Sequence, residues 1–99
     1  MAMDKKRFEE LRAGVEELRP ILVAEQRAHG YLSLFDEFVR EAELGLALHT
    51  VCDYLLESET PRPEATTVER IRALHASMEI EDDCLDRLRQ KAGLIETGL

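Results

Sequence analysis

Apolar positions recur along this chain at helical spacing, and strand-like alternation is absent. Phe8, Leu11, Val15 and Leu18 form one stripe, with Glu9, Glu10, Arg12, Glu16 and Glu17 on the other side, so the first helix is expected to start near Asp4. Pro20 lacks an amide donor and crowds the preceding turn. It should end or kink that helix, and it suits the first position of another, so "ILVAEQRA" supplies one or two further turns. "HGY" at residues 29–31 reads as a break. A second helix is predicted over about 32–42, with Leu32, Phe35, Phe38, Val39 and Ala42 on its buried face. A third, over about 44–56, is apolar nearly all round. Leu44, Ala47, Leu48, Val51 and Leu55 make its main stripe, and Leu46, His49, Asp53 and Glu57 lie opposite. That pattern fits a central helix packed by several neighbours.

The loop "SETPRPEATT" stops the third helix. A fourth is expected from Glu64 or Thr67 to Met78, opened by a capping box of Thr66 and Glu69. Its buried face carries Val68, Ile71, Leu74, His75 and Met78. A fifth should run from Glu81 or Asp82 to Ala92, with Cys84, Leu85 and Leu88 inward and Gly93 as its C-terminal stop. The expected fold class is all-α: one compact domain over residues 1–99, a bundle of about four to five short helices, with 1–3 and 94–99 frayed.

Charge narrows the functional classes. Charged residues are 34% of the chain and hydrophobic ones 44%, too apolar for disorder and too charged for a membrane protein. No apolar run reaches transmembrane length, and no signal core follows the N-terminus, so a cytoplasmic location without membrane association is expected. The net charge of −8 disfavours nucleic-acid binding, which leans on lysine and arginine against phosphate. Arg70, Arg72, Arg87, Arg89 and Lys91 are each interleaved with acids, a poor match to a DNA-reading helix. Cys52 and Cys84, 32 positions apart, read as two buried thiols in a reducing compartment.

Catalytic, metal-binding and cofactor-binding residues are not expected. The carboxylate pairs Glu37/Glu41 and Asp53/Glu57 look solvent-facing, without the pocket that acid–base work needs. His29, His49 and His75 make no His-x-x-x-His or metalloprotease pattern. There is neither a nucleophile elbow nor a phosphate-cradling glycine loop. An enzyme is not indicated.

The distribution of acids is more informative. Residues 36–59 hold seven acids against one base, Arg40, and so supply −6 of the −8. Like charges at i,i+4 each cost a few tenths of a kcal/mol, an expense that an opposing basic surface would offset. A second cluster, Glu79, Glu81, Asp82, Asp83 and Asp86, suits the positive end of the fifth helix.

The stretch "EAELGLALHTVCDYLLE", a proline-containing loop and then "VERIRALHASMEIEDDCLDRLR" resembles the MafI-type family of bacterial immunity proteins. The matching residues are Glu43, Gly45, Leu46, Ala47, Leu48, Asp53, Leu55 and Glu57, with Met78, Ile80 and Glu81 at a later turn. The resemblance covers about residues 35–90. The chain departs from the pattern at Glu79, where glycine is usual, and at Leu44, Cys84 and Leu85, where aromatics are common. Gly45 is expected to allow a close backbone approach.

The resemblance implies a small helical protein that binds a cognate toxin domain. Asp36, Glu37, Glu41, Glu43, Asp53, Glu57 and Glu59 would meet a basic surface, with Tyr54 as an aromatic anchor if exposed. Two other readings fit the residues: an acidic helical adaptor unrelated to toxins, and a homo-oligomer burying Leu46, Leu56 and Tyr54.

Overall fold

A computed structural model describes residues 5–93. They form six α-helices: α1 (Lys5–Glu16), α2 (Arg19–Val23), α3 (His29–Arg40), α4 (Leu44–Leu56), α5 (Ala65–Ser77) and α6 (Cys84–Ala92). A 3₁₀ turn, Gln26–Ala28, leads into α3. No strand occurs among the described residues, so the chain is an all-α bundle. Its shortest dimension, 19 Å, is about two helix diameters. None of these helices is long and apolar enough to cross a membrane.

Helix α4 organises the bundle. Leu44, Ala47, Leu48, Thr50, Val51, Cys52, Tyr54 and Leu55 are all buried, and α1, α3, α5 and α6 pack around them. Its exposed side chains are Leu46, His49 and Asp53, at i, i+3 and i+7. The expected central helix is therefore present, with one narrow strip facing solvent. Phe35 and Val39 of α3, Ile71 of α5, Leu88 of α6, and Val15, Leu18 and Leu22 from the first two helices complete the core.

Several boundaries differ from the sequence expectation. Residues 29–31 are no break: they form the first turn of α3, and the His29 amide bonds back to the Gln26 carbonyl. A glycine in a first turn loses little, and Gly30 faces open space. Helix α3 stops at Arg40 because Ala42 turns left-handed, φ 62°. The Glu43 amide then reaches the Phe38 carbonyl at 2.7 Å, the long bond of a Schellman turn. Pro20 does sit in the first turn of α2. The capping box at Thr66 and Glu69 is absent: α5 starts at Ala65, its N-cap is Glu64, and no side chain caps it. Glu69 instead binds Arg72, at 2.6 Å to Nη2 and 2.9 Å to Nε. Helix α6 begins at Cys84, later than expected, and ends at Gly93 with φ 75°, as expected. The terminal segments 1–3 and 94–99, expected to fray, lie outside the described residues.

Two further expectations are corrected. Cys52 and Cys84 are buried, but they are joined as a disulfide. Packing of α4 on α6 brings their Cα atoms to 6.5 Å, within the span of such a bridge. Gly45 makes no close approach: a Cβ there would meet only Ile80 Cδ1, at 3.9 Å. The tight contact is at Gly14 of α1, where a Cβ would lie 2.8 Å from Leu74 Cδ2 of α5.

Candidate partner-binding surface

The α3–α4 hairpin carries the acids singled out in the sequence, but they do not form one patch. Glu37, Glu41 and Glu43 surround the tight turn between the two helices; all are exposed. Their carboxylates make no hydrogen bond or ion pair among the described residues. Asp53 lies ten residues beyond Glu43 along α4, about 15 Å away at the rise of an α-helix, and Glu57 follows at the far end of that helix. Asp36 is engaged by Arg19 of α2, whose Nε and Nη2 each donate to a carboxylate oxygen at 2.9 Å. That fork holds the Asp36 carboxyl below the usual range for aspartate. Glu59 meets Arg27 at 3.3 Å.

Tyr54 is not an exposed anchor. It is buried and packs against the half-buried Tyr31 of α3, ring centroids 5.7 Å apart and planes tilted by 58°. At position 54 the helical phase turns the ring toward α3, away from the solvent strip. Partial burial raises the Tyr31 hydroxyl pKa, and the neighbouring Glu57 carboxylate pushes it the same way.

A second group assembles along the exposed strip of α4. Asp82, in the turn before α6, accepts a hydrogen bond from the Cys84 amide at 3.1 Å and pairs through the same Oδ1 with His75 Nε2 of α5 at 2.9 Å. Its Oδ2 lies 3.7 Å from His49 Nδ1, and His49 Nε2 lies 3.3 Å from Asp53 Oδ1. Asp53, His49, Asp82 and His75 thus make a chain across α4, the α5–α6 turn and α5. The hydrogen bond with His75, joined by that from the Cys84 amide, holds the Asp82 carboxyl below its ordinary value against the opposing push of partial burial. Among the described residues no three His, Cys, Asp or Glu side chains are arranged to hold a metal ion. The side-chain partners of both imidazoles are aspartates, and these contacts tie α4, α5 and the α5–α6 turn together.

Next to this chain runs a groove of about 380 Å³ lined by Glu43, Gly45, Leu46, His49, Ile80 and Asp82. No family model, curated protein or solved structure matches this chain.

The groove was only partly legible beforehand. Leu46, His49 and Asp53 share a face by helical phase alone, but Asp82 and Ile80 arrive from a turn some thirty residues later. Their sequence signal, an acidic run after Met78, reads equally well as dipole compensation for α6. His75 reads as a core residue from its spacing, and it is half-buried; its polar edge finds Asp82 through the packing of α5 on α6.

Proposed function

We propose that this chain is an immunity protein: it binds the effector domain of a bacterial toxin and neutralises it by laying an acidic surface over a basic cleft. The observation that carries this reading is the set of exposed carboxylates at the α3–α4 turn, Glu37, Glu41 and Glu43, none of which makes a hydrogen bond or ion pair among the described residues. Glu37 and Glu41 stand at i,i+4 and weaken their own helix slightly. Core packing does not require them, and a basic partner would relieve their repulsion. The resemblance of residues 35–90 to MafI-type immunity proteins supports the same reading.

Much of the resembling motif is buried: Ala47, Leu48 and Leu55 lie in the core. The partner-facing part is then the charged edge, which gives fast, salt-sensitive association more than raw affinity. Asp36 and Glu59 contribute less, because each already has an arginine. Tyr54 has no place in the interface.

The test is neutralisation in cells that express the toxin domain encoded beside this chain. Reversing Glu37, Glu41 and Glu43 to lysine should abolish protection while the helical circular dichroism and cooperative unfolding persist. Full protection by the reversed variant would refute the proposed surface. A neighbouring gene that encodes no toxin would favour an acidic adaptor instead.

A further inference from the structure

The groove beside the exposed strip of α4 joins an apolar floor to an acidic rim. Leu46 is 47% exposed, unusual on a helix otherwise so deeply buried, and the half-buried Ile80 faces it from the α5–α6 turn. Gly45 lies between them and adds no side chain to the space. Glu43 and Asp82 form the rim, with His49 beside them, and no lysine or arginine lines the groove. Glu43 makes no ion pair among the described residues. Asp82 commits Oδ1 to His75 and the Cys84 amide, whereas Oδ2 has only the longer contact to His49.

We infer that this groove docks an amphipathic cationic segment of a partner protein, with an aliphatic side chain between Leu46 and Ile80 and a neighbouring arginine or lysine against Glu43 and Asp82. Charge decides among the possible occupants. A second copy of this chain in a two-fold contact would press the same acids against each other, with no lining cation to compensate. Nucleic acid and anionic lipid surfaces both require basic side chains. A bare metal ion would gain nothing from Leu46 and Ile80. What remains is a partner that buries apolar area on the floor and places positive charge at the rim. The aliphatic contact would supply most of the affinity, and the rim would supply sign selectivity and salt dependence. The inference holds whether or not that partner is a toxin.

The test uses the full chain and two blocked tetrapeptides, acetyl-Leu-Arg-Leu-Arg-amide and acetyl-Leu-Glu-Leu-Glu-amide, titrated while backbone amide and methyl NMR signals are followed. The basic peptide should give saturable shifts at Gly45, Leu46 and Ile80, and the acidic one none at the same concentrations. Affinity should fall at least about fivefold between about 0.05 and 0.5 M salt. Leu46→Ser and Glu43→Gln, both at exposed positions, should each weaken binding at least about fivefold and leave distant signals in place. Shifts centred on Glu37 and Glu41 or on Glu57 would overturn the inference. So would equal binding of the acidic peptide, undiminished binding by Leu46→Ser, or no saturable shift at millimolar peptide. Because no toxin enters the measurement, its failure is separate from any failure of the immunity reading.

Discussion

The ammonium of Lys91 on α6 caps the carboxyl end of α4: Nζ lies 2.7 Å from the carbonyl oxygen of Glu57 and also donates to that of Leu55. The last carbonyls of a helix have no partner within it, and a cation there also meets the negative end of the helix dipole. Partial burial holds the Lys91 pKa below the ordinary lysine value. Lys91→Met keeps the aliphatic stem and removes the donor. It should cost about 1.5–3 kcal/mol, the range for a hydrogen bond from a charged group. Urea unfolding checks this; a change within about 0.5 kcal/mol, typical of an ordinary surface position, would refute the capping role.

The disulfide ties the middle of α4 to the first residue of α6. It closes a loop with a sequence separation of 32, and chain-entropy arguments give such a closure roughly 3–4 kcal/mol. That is a large share of the 5–15 kcal/mol typical of a domain, roughly stated. Reduction, or the double variant Cys52→Ala, Cys84→Ala, should lower the urea midpoint accordingly. Thiol titration of the unfolded, unreduced chain should find no free thiol, and two reactive thiols would contradict the bridge.

Asp82 sets an acid-side dependence. Its folded pKa is depressed, chiefly by the hydrogen bond with His75, so folding favours the ionised form. The stabilisation is present above the unfolded value of about 4 and is lost as pH falls through the lower, folded one. Asp82→Asn should remove this share and flatten the decline of thermal stability between about pH 5 and 3. At neutral pH it should cost less than about 1 kcal/mol, because the asparagine oxygen can still accept from the Cys84 amide. Melting temperatures measured across that range test it, and parallel acid limbs for variant and parent would contradict it.

Helical phase made much of the architecture readable. The boundaries of α4 follow from an apolar run between Glu43 and Glu57, the start of α2 from Pro20, and the end of α6 from Gly93. These features depend on local sterics and on periodic burial, which a linear pattern carries. The break at residues 29–31 misled because a glycine between His29 and Tyr31 resembles a turn, whereas the actual turn lies just before it at Ala24–Glu25. The capping box misled because a Thr-x-x-Glu pattern cannot say which residue is the first to leave the helix, and here that residue is Glu64. Glu79 is instructive as well. It adopts φ 53°, a conformation glycine would take without strain and one that no local pattern in the sequence announces.

Sequence alone determined that this is a helical chain with one deeply buried helix and an acid-rich segment around it, because periodicity and net charge are sums over neighbouring residues. Only the tertiary structure decided which acids remain uncompensated. Arg19 reaches Asp36 and Arg27 reaches Glu59 across different elements, while Glu37, Glu41 and Glu43 are left without such a partner among the described residues. It also decided that Tyr54 is core, that Cys52 meets Cys84, and that Asp82 and Ile80 join Leu46 to form a groove. Each depends on contacts between residues distant along the chain, set by how the helices pack, which no local pattern encodes.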